Sequence, residues 1–559
     1  MAQMSGAEAM FEVMVREGVR YVFGNPGTTE LPLMDQFAAR DEIAYVLALH
    51  EDSALGIAAG YAEATGQPAI VNLHTNPGLA HALGNLYNAY RAGTPLVVTA
   101  GQQDTRSMLD QPLLYADMIE LARQHTKWAW EVRTAAEIPR ALARAFTIAR
   151  TPPTGPVFVS LPVNLMEERA DMELPSEVKE IGWRVRGEEA KVQAAAALLA
   201  SARNPVIVAG DGCARSGALA EVAKLAEMIG SRVHAEPLNS LLVFPTGHPL
   251  YAGALFPNAK QTRALLEGAD VILLVGATNL APLVYTGMGL IAPGTRLIQI
   301  DPDPREFGKN HQLEVAILAD PRCAIEQLIE ALGPLTSGPP FEMIARRRAA
   351  TVQAISDARA RFAEQASSAS DPMSPAFVAR VMREAAASDS VLVDESVTST
   401  AFVRALFELN EPNSYFYAKG GSLGLSVPAA VGVKLAMPDR QVLCAVGDGS
   451  ALYSIQALWT AARYKLAVVF VIFNNSSYMI LKGGLAAMGG ESIKRGVFTG
   501  MDLTDPEIDF VKLAESMGVT ARRVARASEL RDALDWALGE NRPVLLDVRI
   551  VRDVRSVLR

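Results

Sequence analysis

The chain is 559 residues long, 50% of them apolar, with a formal net charge of −9 at pH 7, enough for three or four domains with large cores. The acid excess argues against a nucleic-acid partner, no apolar run reaches membrane-spanning length, and three distant cysteines (Cys213, Cys323, Cys444) argue against a zinc site or a disulfide framework. The opening stretch MAQMSGAEAMFEVMVREGV mixes acids into an amphipathic pattern unlike a signal peptide, so the expectation is a cytoplasmic α/β enzyme.

Residues 1–180 read as one alternating unit. Periodicity predicts a helix over 6–17, a strand over 21–23, the turn GNPGTT and a helix over 30–38. A strand over 45–49 runs into His50-Glu51 and a helix over 52–65. A strand over 69–73 then reaches HTNPG and another helix, and strands over 96–99 and 157–161 complete the pattern. Such alternation implies a doubly wound parallel sheet. Residues 190–332 form a second alternating unit, with strands over 206–208, 271–275 and 296–300. Gly210-Asp211-Gly212 reads there as a turn, and without a GxGxxG a structural role is favoured over nucleotide binding. Residues 333–374 are a linker, helix-like over 341–365. Residues 375–559 form a third unit about as long as the first.

The most informative stretch lies in this third unit. The apolar run 442–446 stops at Gly447-Asp448-Gly449; Leu452, Ile455, Leu458, Trp459 and Ala462 then follow at helical spacing; the apolar run 468–473 ends in Asn474-Asn475. A strand–turn–helix–strand unit makes the two strands parallel neighbours. Asp448 and Asn475 then share the carboxyl edge, where open α/β sheets bind ligands. Two side-chain oxygens can hold Mg²⁺, which keeps phosphate and water oxygens as its other ligands. The helix after Gly449 offers backbone N–H groups to a phosphate, and Ser450 adds a hydroxyl. The plain alternative is a tight turn with a capping aspartate.

GDG followed by NN resembles the signature of thiamine diphosphate (ThDP) enzymes. Nearly the whole chain resembles the benzoylformate decarboxylases within the ThDP decarboxylase and lyase family, through FGNPGTTELP, LALHED, VNLHTNPG, LVVTAGQQ, GPVFVSLP, YFYAKGGSLGLSVPAAVG and GDGSALYSIQALWTAARY. The resemblance implies three doubly wound parallel-sheet domains: pyrimidine-binding, Rossmann-like middle and diphosphate-binding. It implies ThDP and Mg²⁺ as cofactors and a homodimer as the smallest active unit, with a homotetramer expected. It assigns Glu51 to the aminopyrimidine ring, Leu423 to the wedge that bends the cofactor, and the Gly421 carbonyl to its amino group. Asp448, Asn475 and the Ser477 carbonyl are assigned to the metal; Gly447, Gly449, Ser450 and Tyr478 complete the cofactor contacts. Thr28 takes the place of a hydroxyl that holds the substrate carboxylate, and His74 that of a proton relay. His50 and His81 read as packing or surface residues.

The sequence departs from that pattern in two places. Residues 276–293 contain no histidine; Leu283 stands at the position of a second active-site histidine, with Tyr285 nearby. Residues 482–503 are longer than the resemblance implies. Their glycine pairs suggest a mobile lid that could bring Glu491, Lys494 or Arg495 to substrate, or else an ordinary exposed loop. Tyr417, Met479, Ile480 and Leu481 read as lining an apolar pocket for an aromatic or branched substrate. Arg549, Arg552, Arg555 and Arg559 either meet acyl-CoA phosphates or form a solvated tail. The implied activity is decarboxylation of a benzoylformate-like 2-keto acid to an aldehyde. Carboligation to an acyloin or acetolactate-like product and cleavage of a 2-hydroxyacyl-CoA are the alternatives.

Overall fold

The computed structural model describes residues 2–175, 182–337 and 339–553. Three six-stranded sheets carry the fold, and every neighbouring pair within them is parallel. In spatial order the first contains Ala44–Leu47, Tyr21–Gly24, Ala69–Leu73, Leu96–Gln102, Val157–Pro162 and Ala129–Glu131. The second contains Tyr251–Ala254, Arg232–Ala235, Pro205–Ala209, Val271–Val275, Arg296–Asp301 and Val315–Leu318. The third contains Tyr415–Tyr417, Val391–Glu395, Val442–Gly447, Val468–Asn474, Val544–Arg549 and Thr520–Val524. In each sheet the chain works outward from an inner strand and then crosses to its other side, the topological switch of a doubly wound sheet.

The central strands form because their residues are apolar almost without a break. All of Val468–Asn474 and Ala69–Leu73 is buried, as expected of strands covered on both faces. Sequence reading passes over edge strands such as Ala129–Glu131 and Val315–Leu318, which are short and only partly buried. The linker's helix-like stretch is a 28-residue helix, Pro339–Ala366.

Two helices join the first and third sheets. Helix Glu51–Thr65 begins at His50, whose ring accepts from the Asp52 N–H; Glu51 and Asp52 suit the positive end of its dipole, and Gly66 closes it with φ 67°. Its partner, Ser426–Ala436, crosses so closely that a Cβ on Gly432 would lie 1.9 Å from the Ile57 carbonyl oxygen. Leu55 and Ile57 are fully buried there, each contributing about 1.5–3 kcal/mol. A Gly432→Ala change would force the two backbones apart. Among the described residues, no helix is long and apolar enough to cross a membrane.

Candidate active site

The site is built on the edge of the third sheet. Val442–Gly447 and Val468–Asn474 pair in parallel with Gly447 opposite Phe473, which brings Asp448 and Asn475 to adjacent strand ends. Asp448 Oδ1 accepts from the Gly449 N–H at 2.9 Å, but its Oδ2 and the Asn475 Oδ1 are buried without a hydrogen-bond partner. Burial pushes the Asp448 carboxyl up to about 6, against the Gly449 N–H bond that favours its charge. Unpartnered buried oxygens are costly, by roughly 2–7 kcal/mol for a neutral amide and more for a charge. Two unpartnered hard oxygens of this kind at neighbouring strand ends fit Mg²⁺, and Asp448, Asn475 and the Ser477 carbonyl would hold it. Asn474 is used differently: its amide donates to Asp547 at 2.7 Å and its oxygen accepts from the Ser476 N–H at 3.0 Å. The Ser477 carbonyl already accepts from the Met479 N–H at 2.8 Å, leaving one lone pair. A Cβ on Gly449 would strike the Tyr478 ring at 2.7 Å.

The single helix expected after Gly449 is instead two short ones, Asp448–Ala451 and Ala457–Arg463. The break falls where the Ser454 hydroxyl donates to the Gly424 carbonyl at 2.6 Å, a tertiary bond that diverts the chain toward the neighbouring loop. That loop, residues 419–426, is pinned from all three units. Asn88 exchanges bonds with Ser422 (3.1 and 2.8 Å), and both oxygens of buried Glu395 accept from the Gly424 and Ser426 N–H groups at 2.6 and 2.7 Å. Burial pushes the Glu395 carboxyl up to about 7. Lys419 Nζ lies 2.7 Å from Asp211 and 2.5 Å from Glu236, all three buried. Burial opposes the lysine's charge, but the two carboxylates hold it above the ordinary range. Gly210-Asp211-Gly212 is therefore more than a turn: it opens helix Asp211–Ser216, and Asp211 anchors the loop. Gly421 and Gly424 have φ of 80° and 100°, which glycine alone adopts freely, and Leu423 between them is half-buried.

The first sheet's carboxyl edge gathers imidazoles and carboxylates. His74 Nδ1 lies 2.8 Å from Oε2 of Glu30, whose other oxygen accepts from the Gly101 N–H at 2.9 Å. This bond to Glu30 raises the His74 pKa, against the effect of burial. A Cβ on Gly27 would sit 2.2 Å from the His74 ring, so the ring lies flat on that turn. Thr28 is exposed, and it is the hydroxyl of Thr29 that lies 3.1 Å from His74 Nδ1. Glu51 lies at the start of its helix, its Oε2 3.1 Å from His81 Nδ1. Glu30, Thr29, Glu395 and Lys419 escaped the sequence reading; the intact TTELP and KGGSLG motifs were the available signal.

The remaining predicted residues are dispersed in the single chain. Leu283, Ile480 and Leu481 are 79%, 49% and 50% exposed, and Tyr417 ends the third sheet's edge strand. The expected lid contains helices instead: Met479–Met488 and Glu491–Arg495, where Glu491 pairs with Lys494 and Arg495 at 3.0 and 3.1 Å. Arg549 pairs with Glu507 at 2.6 Å and Arg552 with Asp502, so neither stands free for a phosphate. Arg555 and Arg559 lie outside the described residues. Among the described residues, no hydrogen bond or ion pair joins Glu51, His74 or Thr28 to Asp448, Asn475 or Ser477.

This fold and edge geometry define a thiamine pyrophosphate enzyme, and the chain belongs to that family. Its models match residues 4–123 (N-terminal TPP binding domain), 192–328 (central domain) and 396–548 (C-terminal TPP binding domain). The chain is 36% identical over 550 residues to benzoylformate decarboxylase of Pseudomonas aeruginosa, covering 97% of this chain and 98% of that one. It is 29% identical over 564 residues to a probable acetolactate synthase large subunit of Methanocaldococcus jannaschii, covering 98% and 92%. Among solved structures it is similar to the ThDP-dependent 4-hydroxybenzoylformate decarboxylase of Rhodococcus jostii, with a TM-score of 0.87, 33% identity and coverage of 99% and 100%.

Proposed function

We propose that the protein is a ThDP- and Mg²⁺-dependent decarboxylase of aromatic or branched 2-keto acids, releasing an aldehyde. The observation that carries the cofactor assignment is the pair of unpartnered buried oxygens on Asp448 and Asn475, at the carboxyl ends of two neighbouring central strands of the third sheet. When bound, ThDP supplies a nucleophilic carbon and a sink for the electrons left by CO₂. Glu51 would hold the aminopyrimidine ring, and Leu423 would press between the two rings. Thr28 would bind the substrate carboxylate. His74, kept cationic to higher pH by Glu30, would deliver the proton that completes the aldehyde.

Among the described residues no hydrogen bond or ion pair joins Glu51 to Asp448, and with the family resemblance this supports assigning the complete site to a homodimer, with each half from a different subunit. A homotetramer is the expected assembly. We keep the division at 1–180, 190–332 and 375–559, with 333–374 as linker; each sheet lies inside one of these units.

The second reading is carboligation, favoured by similarity to acetolactate synthase subunits and by the absence of histidine from 276–293. Cleavage of 2-hydroxyacyl-CoA loses support because Arg549 and Arg552 are paired. Product analysis after incubation with ThDP, Mg²⁺ and either benzoylformate or pyruvate separates the readings. Benzaldehyde and CO₂ are expected from benzoylformate. Acetolactate from pyruvate, with benzoylformate untouched, would overturn the decarboxylase reading.

A further inference from the structure

Glu51 is not alone at its edge. His50, Glu51 and His81 bring one ligand-type atom each within 4.8 Å of one another, and the two imidazoles stack with centroids 5.3 Å apart at 24°. The histidines are not equivalent. His50 Nδ1 accepts from the Asp52 N–H at 3.1 Å, which puts its own proton on Nε2, and burial lowers its pKa, keeping it neutral. His81 has the opposite arrangement: its Nδ1 faces Glu51 Oε2 at 3.1 Å and so donates, leaving Nε2 as the basic nitrogen. The His81 side chain is 54% exposed, whereas that of Glu51 is 13% exposed. The other carboxylate oxygen, Oε1, lies beside Gly78, where a Cβ would come within 3.3 Å of it. The plain explanation of His81 is a basic residue in the last turn of helix Thr75–His81, favoured by the dipole. That accounts for an imidazole there, but not for its bond to a carboxylate on another helix.

We propose that His81 is a positioning and proton-exchange partner of Glu51, connecting a half-buried carboxylate to solvent while His50 backs the ring. This deepens the proposed function and rests on the assignment of Glu51. The proton balance is simple. Solvent protonates His81 at Nε2, and the Nδ1 proton passes to Glu51 Oε2, leaving a neutral Nε2–H imidazole and a neutral carboxyl group. The reverse sequence returns the proton to water.

Two measurements test this. In cofactor-free protein labelled with ¹⁵N-histidine, NMR should show His81, identified by its loss in His81→Asn, as the Nδ1–H tautomer at neutral to alkaline pH. In Glu51→Gln it should revert to the commoner Nε2–H form. In protein loaded with ThDP and Mg²⁺, His81→Leu should slow deuterium exchange at the cofactor C2 on the order of 10-fold or more, with ThDP binding unchanged. His81→Asn should recover part of that rate, because its amide can still donate to Glu51. An Nε2–H tautomer in the wild type, or wild-type exchange in His81→Leu beside slow exchange in Glu51→Gln, would overturn the role of His81 alone. Wild-type exchange in Glu51→Gln would overturn the assignment on which it rests.

Discussion

The chain contains the tripeptide Gly-Asp-Gly twice, each time directly after a buried parallel strand, and the two aspartates have opposite fates. Asp211 is saturated: Ser240 and Leu241 N–H groups reach Oδ1 at 2.8 and 3.0 Å, and the Ser240 hydroxyl and Lys419 reach Oδ2 at 2.8 and 2.7 Å. Asp448 has one backbone donor on Oδ1 and nothing on Oδ2. The first site has its cation covalently attached to the chain as Lys419; the second leaves buried oxygens unpartnered, and we propose that a cation from solution completes it. The motif alone does not distinguish them. The donors do, and those donors come from distant parts of the chain.

The largest expected effect separates the two sites directly. Asp448→Ala should abolish Mg²⁺-dependent ThDP binding in titration calorimetry, yet leave the cofactor-free protein melting no lower than wild type, since a buried unpartnered oxygen is removed. Asp211→Ala should do the reverse in kind, lowering the melting temperature sharply. Next comes Lys419→Met, which leaves two buried carboxylates without their cation and should cost about 3–5 kcal/mol in denaturant unfolding. The neutral triple variant Lys419→Met, Asp211→Asn, Glu236→Gln should recover most of that loss; failure to recover would mean that the loop depends on the charge itself. Smaller effects follow at the glycines. A Cβ on Gly212 meets backbone (Gly276 Cα, 2.6 Å), whereas one on Gly449 meets the Tyr478 ring. Gly212→Ala should therefore destabilise by about 1–3 kcal/mol and Gly449→Ala by less, with the latter's main effect on ThDP affinity.

The smallest effect concerns a third buried acid, Glu30, whose partner is an imidazole. The folded-state pKa of His74 is raised above its ordinary 6.5, so the stability it contributes is fully present below about pH 6.5 and is lost as pH rises through the folded value. The melting-temperature difference between wild type and His74→Gln should shrink on going from about pH 6 to about pH 9; a constant difference would show that the bond to Glu30 does not depend on the imidazole's charge.

Most of the architecture was legible in the sequence because central parallel strands are unbroken apolar runs: 69–73 and 271–275 were read to the residue. Edge strands such as 129–131 and 315–318 were not legible, since partly buried short segments lack that signature, although the edge strand at 44–47 was read at 45–49. The helix after Gly449 was misread because its periodicity is genuine, but a side-chain bond from Ser454 to Gly424 interrupts it. The glycine pairs at 483–484 and 489–490 suggested a loop; the first sits inside helix Met479–Met488, where Lys482 is buried and pairs with Asp502, and the second closes it with Gly489 at φ 65°. Asp448 and Asn475 were proposed from motif and strand-end position, and Glu51 and His74 from the family resemblance. Glu30 beside His74, His81 beside Glu51, and the loop-holding Glu395 and Lys419 required three dimensions, because a carboxylate's partner is set by distance and not by spacing along the chain.

The most direct test of the central claim is a crystal structure of the protein with ThDP and Mn²⁺ in place of Mg²⁺, with the metal located by its anomalous scattering. A single peak bound by Asp448 Oδ2 and Asn475 Oδ1, with none at Asp211, is the predicted result. A peak elsewhere, or bound cofactor with both oxygens still unligated, would contradict the account.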